Sequence, residues 1–288
     1  MSLAYLKKLS QTYIWKRIFY ERLSEPIHLN IIALFVSLFG SYRTKIDFDL
    51  VIRPQHAYSL LSVADQAKAL GYDRVSIFEF GVAAGSGLIN LQEIAKKITK
   101  STGIHFDIYG FDTGAGMPPP QSYKDHPEIY QAGDFPMVFE KLSRLLDDNT
   151  KLVLGPIAES MKAFLEKDFS KAPIGFVSID VDYYSSTVDA LKLLTHSANN
   201  MLPQVMIYLD DLEYPSHNSW CGEQAAVHEF TEEHPMRPIE KHPFLRSYRI
   251  FKNARWIDHM YQCHVLDHAV RNQLTPSRSN IVLSNPYL

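Results

Sequence analysis

The run Val75-Ser-Ile-Phe-Glu-Phe-Gly-Val-Ala-Ala-Gly-Ser-Gly87 constrains this chain more than any other segment. An apolar strand leads straight into a glycine-rich turn, and the following Leu88, Leu91, Ile94, Ala95 and Ile98 share one helical face. Strand, turn and helix in that order, with Gly81, Gly85 and Gly87 in the turn, bring backbone close to a nucleotide-like ligand in α/β folds. The spacing is Glu79-x-Gly-x-x-x-Gly-x-Gly. It departs from the Gly-x-Gly-x-x-Gly turn whose helix N-terminus faces a pyrophosphate, and so favours a ligand that carries adenosine without phosphates.

The rest of the chain repeats the strand-helix alternation. Strands are expected near 74–80, 106–112, 151–154, 174–181 and 204–210, with helices near 87–99, 136–147, 158–167, 186–197 and 220–233. A helix from Gln55 to Leu70, closed by Gly71, precedes them. Ser186 with Asp189 reads as a capping box beyond the fourth strand. Extended pieces at 237–241 and 247–252 complete the sheet, and Arg255 to Val270 reads as a closing helix. The pattern predicts an α/β fold with a doubly wound, mostly parallel seven-stranded sheet and an N-terminal helical extension. Residues 1–54 form the helical arm, and residues 55–288 one catalytic domain in which 113–136 is a lid loop without helical or strand period.

Charge and cysteine content exclude several classes of function. With 29 basic and 32 acidic residues the net charge is -3, so no basic field supports nucleic-acid binding. Cys221 and Cys263 are too few for a disulfide framework, and no signal peptide is recognisable, which makes the cytoplasm the expected location. Ile31 to Phe39 is far shorter than the roughly 20 apolar residues of a transmembrane span. Lys7, Lys8, Lys16, Arg17 and Arg22 accompany an apolar set on the N-terminal arm. That arrangement suits contact with an anionic membrane surface or, as the favoured reading, packing and association of copies into a homo-oligomer.

Two acidic strand tips carry the chemistry. Asp180-Val181-Asp182 ends the fourth strand and Asp210-Asp211 the fifth, on neighbouring strands about 4.8 Å apart. Anions that close repel unless a cation lies between them, and ligands composed only of oxygen favour Mg²⁺, Mn²⁺ or Ca²⁺. Asp112, at the tip of the second strand, is placed to accept hydrogen bonds from the hydroxyls of a ribose. His259, Cys263, His264 and His268 spread around their expected helix rather than forming one zinc cluster.

With these features together, the chain resembles the class I S-adenosylmethionine-dependent methyltransferases, and within them the metal-dependent sugar O-methyltransferases of the macrocin O-methyltransferase family. Asp180-Val-Asp-Tyr-Tyr-Ser-Ser-Thr187 fits that family's Asp-x-Asp-x-Tyr-x-Ser-Thr pattern, followed by Asp210-Asp211 and the run from Trp220 to Phe230. The resemblance implies S-adenosylmethionine as methyl donor, with Glu79, Gly81, Ala83, Gly85, Ser86 and Gly87 lining its pocket. Asp112 and Thr113 would meet the ribose, and the turn from Gly155 to Glu159 would approach the adenine. It further implies a divalent metal, Mg²⁺ by preference, on Asp180, Asp210 and Asp211, with Asp182 as general base. His217 is the competing base.

Asp180 and Asp182 share one side of the strand if extension persists. Tyr183, Tyr184 and Trp220 are aromatic candidates for stacking on a sugar ring. One departure concerns Phe111-Asp-Thr-Gly-Ala-Gly-Met-Pro118, where Gly114 and Ala115 replace an aromatic and an acid typical of the family. The acceptor is thus a small-molecule hydroxyl, expected on a sugar, with a catechol-type phenol or a non-catalytic donor-binding module as alternatives.

Overall fold

The computed structural model describes Trp15 and residues 18–167, 169, 172–212, 218–272 and 282–285. Seven strands form one sheet: β1 (Arg74–Phe80), β2 (His105–Asp112), β3 (Thr150–Leu154), β4 (Ile174–Ile179), β5 (Met201–Leu209), β6 (Ile239–Lys241) and β7 (Met260–His264). Their spatial order is β3-β2-β1-β4-β5-β7-β6, and β7 alone runs against its neighbours. β1, β4 and β5 occupy the middle and are buried along nearly their whole length, which is why they read as apolar runs without alternation.

Helices cover both faces. Helices Pro54–Ala69 and Ser86–Thr102 pack on the face carrying Val75, Ile77, Phe106 and Phe176. Helices Ile157–Lys167, Tyr184–Leu191 and Gly222–Glu233 pack on the other, around Phe78, Phe80, Tyr109, Phe111 and Phe164. Burying each such aromatic ring contributes about 1.5–3 kcal/mol, so this second layer is a stiff floor under the strand ends. From β1 the chain winds outward through β2 to β3, then returns to β4 on the opposite side of β1. The connections diverge at β1 and β4, opening a crevice at the carboxyl ends of these strands, where ligands bind in such sheets.

The N-terminal part is helical over Ile27–Phe39 and Tyr42–Asp47. It is clasped by Arg22, which donates to the carbonyls of Phe48 and Asp49 and lies 3.8 Å over the Phe251 ring. The buried Arg249–Asp49 ion pair, 2.6 Å, reinforces the same junction. Among the described residues no helix is long and apolar enough to cross a membrane.

Three local expectations fail. The piece at 247–252 is not a strand: a short helix, Leu245–Tyr248, begins it. The closing helix at 255–270 is instead a 3₁₀ turn, Arg255–His259, followed by β7. β7 lies between β5 and β6 with both faces covered, so its side chains do not alternate and a helical spacing fits them equally well. The capping box does not form. The helix starts at Tyr184, and the exposed Lys192 takes the carboxylate of Asp189.

Candidate functional site

The glycine turn is shaped by close approach. Gly81 has φ +85°, and a Cβ there would lie 1.7 Å from the carbonyl oxygen of Asp180, so only glycine lets the end of β1 pass the end of β4. Gly85, φ +83°, opens the helix Ser86–Thr102, and the space beside Gly87 is filled by the carboxyl of Glu79, 1.8 Å from where a Cβ would be. Asp112 stitches the turn to β2. Its Oδ2 accepts from the N–H groups of Val82 and Ala83, 2.9 and 2.8 Å, and its Oδ1 from Gly114, 2.6 Å. Thr113 donates to the carbonyl of Gly116 at 2.5 Å.

Glu79, Gly81, Ala83, Ser86, Gly87, Asp112 and Thr113 line one cavity of about 430 Å³ at the switch point. Gly85 stands behind it as the helix cap, and Pro156 and Ile157, within the 155–159 turn, close one side. Asp180, Asp182, Asp210 and Asp211 line the same cavity.

Asp180, Asp210 and Asp211 converge: one carboxylate oxygen from each lies within 4.8 Å of the others. Two backbone bonds prolong the sheet to put them there, Asp180 N–H to Phe80 and Asp210 N–H to Ile179. Burial, followed by the charges of Asp210 and Asp182, pushes the Asp180 carboxyl up to about 8. Burial and the same crowding raise Asp211 well above the usual carboxylate range. Tyr208 donates to Asp210 at 2.6 Å, and the buried Glu223 accepts the Asp211 N–H at 3.1 Å. A dication suits this arrangement, because three hard oxygen donors share one small volume and hold more negative charge than the protein neutralises.

Asp182 reaches the cluster by a different route from the one expected. β4 ends at Ile179, and Asp182 has φ +57°, so the pleat is broken and no shared strand face relates it to Asp180. A left-handed turn folds it back, and its N–H donates to Oδ2 of Asp211 at 3.0 Å. His217 lies outside the described residues.

The segment 113–136 is tied down rather than loose. Its base is closed by Met117 N–H to Asp134 and Gly133 N–H to Met117, 2.8 and 2.9 Å. Its tip is pinned by Asp125, fully buried, which accepts from Gln121 N–H and from both the N–H and hydroxyl of Ser185. The aromatic candidates Tyr183, Tyr184 and Trp220 do not line the cavity. Tyr183 is buried against Tyr130, Tyr184 donates to Glu229, and Trp220 lines a separate depression. Phe135, more than half exposed, is the aromatic residue of the loop that lines the cavity. Among the described residues, His259, Cys263, His264 and His268 form no metal-ligand group: His259 bonds the Leu209 carbonyl and His264 pairs with Glu240.

Two cavity neighbours are missed by reasoning from sequence. Arg53 enters from the turn before the helix Pro54–Ala69 and donates to the Ser86 hydroxyl at 2.9 Å. Glu223 sits under Asp211. No motif announces Arg53, whereas Glu223 opens the helix Gly222–Glu233 and could have been suspected as an acid facing the strand tips.

Among solved structures the chain is similar to the calicheamicin methyltransferase CalS11, with TM-score 0.52 and 17% identity over 83% of this chain and 91% of that one. The fold is that of the class I methyltransferases. The O-methyltransferase NovP is a looser match, with TM-score 0.49 and 13% identity over 72% of this chain and 78% of that one. No family model and no curated protein matches the sequence.

Proposed function

We propose that this protein is an S-adenosylmethionine-dependent O-methyltransferase that methylates a hydroxyl of a sugar or glycosylated small molecule, assisted by a divalent metal, Mg²⁺ by preference. The observation that carries the reading is the convergence of Asp180, Asp210 and Asp211 within 4.8 Å in the cavity that also holds the glycine turn. CalS11, which shares the fold, is described as a calicheamicin methyltransferase and as a TDP-rhamnose 3'-O-methyltransferase. The sugar assignment also draws on the Asp180 to Thr187 pattern. Residues 1–54 are assigned to an arm that serves association between copies, and 113–136 to the loop that covers the acceptor.

When bound, the donor supplies the methyl group and the metal on Asp180, Asp210 and Asp211 supplies Lewis acidity that lowers the pKa of an acceptor hydroxyl. The chain contributes position and proton handling. The turn from Gly81 to Gly87 and the Asp112 carboxylate hold one reactant against a rigid strand end, and the docked loop excludes water from the other side. Asp182, turned back toward the cluster, accepts the hydroxyl proton, and its left-handed backbone keeps it beside Asp211.

The test uses labelled donor, Mg²⁺ and a panel of sugar, glycoside and phenol acceptors. Wild type is expected to methylate sugar hydroxyls. Asp182→Asn is expected to bind donor normally yet lose turnover by at least about 100-fold, as for a missing general base. Transfer to phenols alone would redirect the acceptor assignment, and near-normal turnover of the variant would remove Asp182 from its role.

A further inference from the structure

Among the described residues Arg53 is the only basic one lining a cavity to which eight acidic residues contribute, and it makes no ion pair with any described carboxylate. Its guanidinium is held instead by one hydrogen bond to Ser86, in the first turn of the helix Ser86–Thr102. That helix end has no side-chain cap, so its first N–H groups and the guanidinium concentrate positive character at one point of an otherwise acidic wall. Beneath them Glu79, only 3% exposed, keeps its Oε2 without a hydrogen-bond partner while Oε1 fills the space beside Gly87. A cation with spare donors and a nearly buried carboxyl with one unsatisfied oxygen therefore line the same cavity.

A ligand that satisfies both is a zwitterion with carboxylate and ammonium on one carbon. We propose that Arg53 and the Ser86 hydroxyl form the recognition site for the carboxylate of the methyl donor's amino-acid end, with Glu79 receiving its ammonium. The proposal rests on the donor assignment above and adds to it a specificity-determining residue from outside the glycine turn. Guanidinium pairs with carboxylate through parallel hydrogen bonds, which gives orientation as well as affinity. Orientation matters here because the amino-acid end and the adenosine together fix where the sulfonium carbon lies. The left-handed backbone of Arg53, φ 51° immediately before Pro54, aims the side chain at Ser86.

The experiment compares two thioether ligands by calorimetry on the full chain: S-adenosylhomocysteine and its decarboxylated analogue, 5'-deoxy-5'-(3-aminopropylthio)adenosine. Wild type should prefer the carboxylated ligand by about 10- to 100-fold, the usual worth of a charge-assisted contact. In Arg53→Gln the preference should fall to within about 3-fold, because the carboxylated ligand alone loses affinity. A merely structural role for Arg53 would weaken both ligands equally and leave the preference intact, which overturns the proposal. Equal binding of the two ligands by wild type overturns it as well, and needs no variant. Ser86→Ala, which preserves Arg53, should reduce the preference in part. If wild type binds neither ligand, the donor assignment itself fails and the proposal falls with it.

Discussion

Replacing Asp211 with asparagine should separate what the acidic cluster does for stability from the metal binding proposed for it. Two ionised carboxylate oxygens no more than 4.8 Å apart, at an effective dielectric of about 20, repel by about 3.5 kcal/mol or more. The metal-free protein relieves part of this by protonation, as the elevated Asp180 and Asp211 carboxyls indicate. The amide keeps an oxygen that can accept the Asp182 N–H, so the turn survives the substitution. What remains is a gain of about 1–3 kcal/mol in the metal-free state. For 288 residues the unfolding entropy is roughly 0.6 kcal/mol/K, so this gain corresponds to a Tm higher by about 2–5 °C. Wild type should recover the deficit with metal: at 100 times Kd a ligand stabilises by about 2.7 kcal/mol, or about 4–5 °C here. Scanning calorimetry at pH 8 with and without Mg²⁺ reads both effects. Asp211→Asn should melt higher than wild type without metal and lose most of the Mg²⁺ shift. A variant that melts lower without metal, or keeps the full shift, would refute the account of the cluster as a repulsive site completed by a cation.

Gly81→Ala should be severe, since a left-handed alanine costs about 1–2 kcal/mol before its Cβ meets the Asp180 carbonyl 1.7 Å away. A Tm drop above roughly 5 °C with loss of S-adenosylhomocysteine binding is expected, and unchanged affinity would count against the close-approach argument. Asp125→Ala strips acceptors from Gln121 N–H, Ser185 N–H and the Ser185 hydroxyl, at a cost of about 2–4 kcal/mol. It should expose the 113–136 segment to limited proteolysis and raise acceptor KM, with donor Kd held. His56 is fully buried, and burial, followed by the charge of Arg53, lowers its pKa well below the usual 6.5. It stays neutral in the fold while the unfolded chain takes up a proton below about 6.5. Its contribution is therefore complete above that pH and is lost on acidification by about 1.4 kcal/mol per pH unit. Urea unfolding from pH 4.5 to 7.5 should show a shallower acid slope in His56→Phe, and identical slopes would exclude His56 as a source.

The parts of this protein that follow local rules were legible in its sequence, and the parts that break them were not. β1, β4 and β5 are continuous apolar runs because both their faces are covered, and glycines at 81 and 85 mark backbone with positive φ. The acids at the tips of β4 and β5 were placed together by strand adjacency alone. β7 was misread because its identity comes from pairing with β5 and β6, a long-range fact that no spacing within 255–270 contains. Arg53 was missed because a left-handed residue before proline is what propensity argues against. Asp182 meets Asp211 through a left-handed turn and not through the shared strand face expected of it. These exceptions share a location. Of the seven described non-glycine residues with positive φ, four line the cavity: Arg53, Ala83, Phe135 and Asp182. Each such residue costs of order 1–3 kcal/mol and persists only where its surroundings over-determine it. Here the surroundings are the Asp112 carboxylate on the Ala83 N–H, Asp211 on the Asp182 N–H and Ser86 on the Arg53 guanidinium. Strain thus concentrates where side chains must be aimed across strand ends, and there the backbone conformation departs from what local propensity favours.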